Sequence, residues 1–196
     1  MDESTVQAQG GDDRTAVDVV VVGGGAAGLS AALHLGRVRR SVVVVDGGEP
    51  RNAPAAHMHG YLGLEGTSPT ELLRAGRAEV EAYGVRTVDG EAVGAAGDVS
   101  RGFTVELADG RVVRGRRLLL TTGLVDELPA VTGLRQRWGR DVVHCPFCHG
   151  WEVRDRPLVV IGTHGTGGHA AQVFHSLSDD ITLVVHDGVD PGPEEA

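Results

Sequence analysis

The sequence predicts an α/β protein made of two βαβ units, with a β-meander inside the first. Three observations carry the prediction. Residues 17–22 and 41–46 are short runs rich in valine, the pattern of buried parallel strands. Between them Gly23-Gly-Gly25-Ala-Ala-Gly28 turns the chain into an Ala/Leu-rich segment of helical period that ends near Val38. A similar arrangement returns later: a buried strand over 158–161, a Gly-rich turn, a helix from about His169 to Leu177 and a strand over 181–185.

The first turn matches Gly-x-Gly-x-x-Gly at Gly23, Gly25 and Gly28, and Asp46 ends the second strand about ~20 residues on. Each position has a task in a Rossmann-like dinucleotide site. Gly23 permits the tight turn, Gly25 lets the backbone approach a pyrophosphate, and Gly28 lets helix and strand pack closely. The helix N-terminus offers free N–H groups and a partial positive charge to phosphates. Asp46 can accept hydrogen bonds from a ribose.

Composition bounds the function. A net charge of −9 argues against a nucleic-acid-binding footprint. The longest apolar runs are strand-sized, so no membrane span is expected. Residues 1–16 are polar and acidic and read as a disordered leader, not a signal peptide, which points to a cytoplasmic protein. Two cysteines in one Cys-x-x-Cys then indicate redox or metal chemistry, not a structural staple.

Residues 47–60 have weak periodicity and read as a loop, in which Arg51 suits a phosphate. His57 and His59 stand two apart, but no carboxylate or cysteine lies nearby at ligand spacing, so a cofactor-facing loop is preferred to a metal site. Ser68-Pro69-Thr70-Glu71 opens a helix with a capping box, and Gly84 stops it. Short strands follow over 85–88, 92–95, 103–107 and 111–113, with an Asp109-Gly110 hairpin signal, as a meander between parallel strands. The strand leading to Thr121-Thr122-Gly123 returns to the sheet, where its carboxyl end lies beside the first Gly-rich turn. A short strand is expected over 141–144.

Cys145-Pro-Phe-Cys148 has three chemical readings. A dithiol redox centre closes a small disulfide ring and passes two electrons, with His144 or His149 exchanging the proton. A zinc site would need a second knuckle, which the sequence lacks. Covalent haem attachment matches Cys-x-x-Cys-His but requires export. The dithiol is the preferred reading.

The ordered set Gly23-x-Gly25-x-x-Gly28, Asp46, Thr121-Thr122-Gly123, Cys145-Pro-Phe-Cys148 and a second Gly-rich βαβ resembles the thioredoxin-reductase-like group of FAD-dependent pyridine nucleotide–disulfide oxidoreductases, over about residues 17–190. The resemblance implies an FAD-binding domain over 17–123 and a partial NAD(P)-type domain over 124–196 that carries the dithiol. It implies FAD contacts from Gly23, Gly25, Ala26, Ala27, Gly28, Asp46, Gly47, Arg51, Asn52, His59, Val93, Thr122 and Gly123. It also implies a nicotinamide-cofactor site at Gly162, His164, Gly165 and Gly167, no metal, and a homodimer.

Three departures refine this. His149 follows the second cysteine where thioredoxin reductases carry aspartate. Cys-Pro-Phe-Cys-His-Gly is instead similar to the branch that contains the gliotoxin- and holomycin-type dithiol oxidases. His164 occupies the middle glycine of the second turn, and no arginine follows Val185-His186-Asp187-Gly188, so tight NADPH binding is not expected. The chain also stops at Ala196, before the second FAD segment that family members carry; FAD retention and catalysis by this length of chain are therefore open.

The expected activity is two-electron exchange between a dithiol or disulfide substrate, the Cys145–Cys148 pair and FAD. By the resemblance, Cys145 is the outward nucleophile, Cys148 stands nearer the flavin, and His149, with His144 as the alternative, handles the proton. The partner is a small-molecule dithiol or a thioredoxin-like protein. The alternatives are an NADPH-dependent thioredoxin-disulfide reductase and a non-catalytic remnant that pairs through exposed strand edges.

Overall fold

The structure is a computed structural model that describes residues 16–163 and 167–186. His164, Gly165, Asp187 and Gly188 lie outside the described residues, as does the leader up to residue 15. Two compact units emerge. The residues up to Pro50 join Leu72–Leu124 in the first, and Arg51–Glu71 joins the residues from Val125 onward in the second.

The first unit contains β1 (Val17–Val22), α1 (Ala26–Arg37), β2 (Val42–Asp46), β3 (Arg86–Asp89), β4 (Ala92–Asp98), β5 (Gly102–Leu107) and β6 (Val112–Leu120), with α2 (Pro69–Glu81) leading into β3. The sheet order is β3-β2-β1-β6-β5-β4. Valine runs form its centre because β1 and β2 are covered on both faces, so both alternating sets of side chains are apolar. Val20, Val22, Val43 and Val45 pack against Val105 and Leu107 of the meander. Val21, Val42 and Val44 face the helices, against Leu29, Ala32 and Val80.

The structure corrects three expectations. The strand near 85–88 is not part of the meander: β3 pairs in parallel with β2, Val43 opposite Arg86, because α2 returns the chain to the sheet edge as a parallel crossover. The meander is β4-β5-β6. Segment 111–113 and the strand before Thr121 are one element, β6, antiparallel to β5 on one side and parallel to β1 on the other. Gly115 belongs to both pairings, and a Cβ there would come within 2.7 Å of Val20. The third correction concerns 141–144. The amides of Arg140, Asp141 and Val142 all donate to the Arg137 carbonyl (3.0–3.1 Å), which coils this stretch into a turn with only an isolated Trp138–Val142 bridge.

In the second unit the Glu71 amide donates to Ser68 Oγ (3.2 Å), and the Ser68 hydroxyl donates to the Glu71 carboxylate (3.2 Å), so the cap forms with the carboxylate bound to the hydroxyl. The elements beyond residue 125 are α3 (Leu134–Arg137), α4 (Pro146–Val153), β7 (Leu158–Gly162), α5 (Gly167–His175) and β8 (Ile181–Val185), with β7 and β8 parallel. Gly150 is buried, and a Cβ at that position would come within 2.3 Å of the Leu177 side chain. The glycine after His149 therefore serves helix packing.

Candidate functional site

The Gly-rich turn of the first unit is shaped by three different constraints. Gly23 has φ +109, and a Cβ there would lie 2.2 Å from the Thr121 carbonyl oxygen. A Cβ on Gly28 would meet the Gly23 carbonyl oxygen at 1.9 Å. Gly25, by contrast, has nothing within 4 Å of its missing Cβ. It is the N-cap of α1, which has no side-chain cap and no acidic residue in its first turn. Ala26 and Ala27, the first residues of α1, are exposed at the positive end of the helix dipole, a cradle that fits a pyrophosphate.

Asp46 ends β2 beside this turn. Its Oδ1 accepts from the Gly48 amide (3.1 Å), and its Oδ2 accepts from the Arg77 guanidinium. Burial pushes the Asp46 carboxyl up, but the Gly48 and Gly24 amides and Arg77 outweigh that and hold it below the usual carboxylate range. Gly24 is forced by the same carboxylate, since a Cβ would stand 2.4 Å from Asp46. Gly47 is exposed and leaves open space. Thr122 and Gly123 are exposed at the end of β6, Gly123 with φ +70. Val93 is exposed on β4, just after Gly90, whose amide donates to the Asp46 carbonyl (2.9 Å).

The second unit gathers Arg51, Asn52, His59, His144, Cys145, Cys148 and His149 around one cavity of about 300 Å³. Cys145 caps α4 in extended conformation with Pro146 at the first helical position, and its carbonyl accepts from the Cys148 and His149 amides (both 3.2 Å). The two sulfurs are free thiols 2.8 Å apart, Cys145 half-buried and Cys148 exposed. The Cys145 sulfur beside it, and then burial, push the Cys148 thiol up to about 11, with Arg51 acting weakly the other way. Arg51 makes a two-pronged pair with Asp126 (2.7 and 2.6 Å), which holds the Asp126 carboxyl below its usual range. The guanidinium that the sequence offers to a phosphate is thus already engaged.

His59 bonds Glu65 (2.7 Å) and its ring meets that of His149 edge to face, centroids 6.4 Å apart. In the last βαβ, Gly162 and Gly167 press together: a Cβ on Gly167 would fall 2.9 Å from the Gly162 Cα. A Cβ on Gly162 would in turn be tight, 3.3 Å from the Gly167 Cα. Among the described residues no three His, Cys, Asp or Glu side chains converge as a metal-binding set.

Several residues escaped the sequence reading. Thr121 locks the Gly-rich turn, its hydroxyl directed at the carbonyls of Val22 (3.0 Å) and Gly23 (2.9 Å). A hydroxyl at the carboxyl end of a returning strand was the available signal. Arg77, Glu65, Glu152 and Asp126 had none, because their partners are remote in sequence or read as ordinary surface charge.

Comparison with known proteins places this geometry among its relatives. The chain is 40% identical to thioredoxin reductase sirT of Leptosphaeria maculans over 177 residues, 87% of this chain and 51% of that protein. It is 35% identical to thioredoxin reductase tcpT of Claviceps purpurea, over 85% of this chain and 54% of that protein. The solved structure of HlmI superposes with a TM-score of 0.86 at 46% identity, covering 92% of this chain and 57% of HlmI. An oxidoreductase from Agrobacterium tumefaciens gives 0.85 at 39%, covering 92% and 61%. The chain spans about half the length of the curated relatives it matches. The family model for pyridine nucleotide-disulphide oxidoreductases matches residues 17–188, and the chain belongs to that family.

Proposed function

We propose that this chain carries the dinucleotide cradle and the redox dithiol of an FAD-dependent, thioredoxin-reductase-like disulfide oxidoreductase. The observation that carries the reading is the pair of free thiols 2.8 Å apart at the start of α4, opening on a histidine-lined cavity. With it we assign an FAD-binding stretch to 17–123, of which Arg51–Glu71 packs within the second compact unit, and a partial nicotinamide-type stretch to 124–196.

FAD, when bound, supplies the two-electron chemistry. The chain's own residues do the rest. Gly25, Ala26 and Ala27 would receive the pyrophosphate, and Asp46 a ribose hydroxyl, with Gly47, Val93, Thr122 and Gly123 as further contacts within the first unit. Cys148 directs its S–H at the Cys145 sulfur and is pushed up, so Cys145 is assigned as the nucleophile that attacks a substrate disulfide. A mixed disulfide forms on Cys145, the first substrate thiolate leaves, and Cys148 attacks to release the second. His149, with His144 as the alternative, receives the proton that Cys148 gives up.

The curated relatives are named thioredoxin reductases, which favours the reductase direction, with NADPH as electron source and a thioredoxin-like protein as partner. A second reading, oxidation of a small-molecule dithiol with oxygen as acceptor, is favoured by His149 directly after Cys148. It is also favoured by the second Gly-rich turn, where His164 stands in place of the middle glycine.

The test is a visible absorption spectrum of the purified chain with added FAD, taken after gel filtration. Flavin colour that travels with the protein supports the reading; colourless protein that ignores FAD counts against it for this chain. With flavin held, bleaching by NADPH and reoxidation by a thioredoxin identify the reductase. Bleaching by a dithiol, reversed by oxygen, identifies the oxidase. Cys148→Ser should abolish bleaching by dithiols, and undiminished bleaching would refute the role given to the pair.

A further inference from the structure

Both ring nitrogens of His59 face carboxylates. Nδ1 lies 2.7 Å from Oε1 of Glu65, and Nε2 lies 3.6 Å from Oε1 of Glu152. The other Glu65 oxygen accepts from the Gly60 amide (2.8 Å), so that carboxylate cannot swing away without losing two partners. Together His59 and the Gly60 amide hold Glu65 below the usual carboxylate range. The loop that carries these groups is closed at its neck: the Met58 amide donates to the Thr67 carbonyl (2.9 Å), and the Gly66 amide donates to the Met58 carbonyl (3.0 Å). His59 is therefore fixed in place, with a side chain only 23% exposed.

A carboxylate at Nδ1 requires a proton on that nitrogen, which leaves Nε2 as the nitrogen that gains and loses one. In front of Nε2 stands Glu152, three residues after His149 and four after Cys148, positions that share one face of α4. The His149 ring crosses that of His59 at 81°, centroids 6.4 Å apart, and the His57 ring lies 6.5 Å away. The titratable groups around His59 are thus Glu65 and His57 from its own segment and Glu152 and His149 from α4.

We infer that His59 and His149 are a coupled imidazole pair, in which Glu65 and Glu152 hold His59 as the positioning residue for His149, the base that takes the dithiol's proton. The inference rests on the dithiol reading above. Two carboxylates fix the His59 ring from both sides, and its edge-to-face contact orients the His149 ring on the cavity that holds the dithiol. The neutral form of an imidazole so oriented has a lone pair for the Cys148 proton. When Cys148 gives up its S–H proton, the new N–H bond forms on His149, and no electrons leave the sulfur in this step. Glu152 ties the arrangement to α4, so the helix that bears the dithiol also bears the group that orients its base.

The experiment follows histidine ring signals by NMR against pH in the reduced full chain, with His149→Gln, His59→Gln, Glu152→Gln and Glu152→Asp. Coupling predicts that His59→Gln moves the His149 midpoint up by at least about 0.5 pH unit, because the neighbouring positive charge is gone. It also predicts that the rate of Cys145 and Cys148 alkylation by iodoacetamide changes its pH profile in His59→Gln and Glu152→Gln, with Glu152→Asp restoring it. Independent single-site titrations of the two histidines, or an alkylation profile unmoved by His59→Gln, would overturn the inference. Glu152→Gln is nearly isosteric at a partly exposed site, so it carries the test if His59→Gln does not fold. These readouts need no flavin; failure of the chain to bind FAD would count against the proposed function while leaving the titration to decide the pair.

Discussion

Arg77 and Asp46 form an ion pair at the carboxyl end of β2, and the second guanidinium nitrogen of Arg77 reaches Asp89 at the end of β3 (3.0 Å). One cation from α2 thus joins the acidic ends of two adjacent parallel strands. Arg77→Ala should cost about 1–2 kcal/mol in urea unfolding at neutral pH, since it leaves a largely buried carboxylate without its charged partner. Asp46 titrates low in the folded chain, so its stabilisation is present above the ordinary carboxylate pKa of about 3.9 and is lost as pH falls through the folded value. The variant should therefore lose less stability than the wild type between about pH 5 and about pH 2. Equal acid sensitivity in the two proteins would show that the pair does not govern Asp46.

Gly25 and Gly28 separate binding from folding. Gly28→Ala forces a Cβ against the Gly23 backbone, and the expected result is a marked drop in thermal midpoint or insoluble protein. Gly25→Val enters open space and should leave the circular dichroism spectrum unchanged. FAD affinity should nevertheless fall at least about tenfold, roughly 1.4 kcal/mol, by equilibrium titration. Unaltered affinity in folded Gly25→Val would remove the cradle from the proposed site.

Thr121→Val keeps the shape of the side chain but removes the hydroxyl directed at the Val22 and Gly23 carbonyls. A loss of about 1–3 kcal/mol is expected in denaturant unfolding. Thr121→Ser should recover most of it, and a serine variant no better than valine would assign the effect to the methyl group.

The dithiol should react unevenly. With Cys148 pushed up to about 11, a limiting alkylating agent near pH ~8 should label Cys145 alone, as read by peptide mass spectrometry. Cys145→Ser removes the neighbouring thiol's hydrogen bond and charge. Cys148 should then react at lower pH than in the wild type. Equal labelling of both thiols in the wild type would contradict the assignment of roles.

What the sequence made legible is what repeats locally. The valine runs announced β1 and β2 because both strand faces are buried, and the glycine spacing located the turn between them. The path of β3 was not legible, since a four-residue strand carries no sign of which neighbour it will pair with. β6 read as two pieces because Arg114, Gly115, Arg116 and Arg117 interrupt its apolar pattern at the point where the strand passes from meander to parallel sheet. In the site, the dithiol and its histidines were plain, whereas the carboxylates that hold His59 come from Glu65 in a loop and Glu152 on α4. Pairings of that kind exist only after the chain has folded.

The bond from Thr121 to the Val22 carbonyl spans 99 residues, and it closes the turn between the first strand and the first helix. The glycine loop therefore acquires its final form only when Thr121, 98 residues beyond Gly23, has been made. A nascent chain halted within the meander has every glycine of the cradle but not the hydroxyl that shuts it. Long-range closure of this kind slows folding and leaves the central valine strand waiting with one edge unpaired. Molecules that grip hydrophobic strands during synthesis should therefore be released from this protein only after β6 has been delivered.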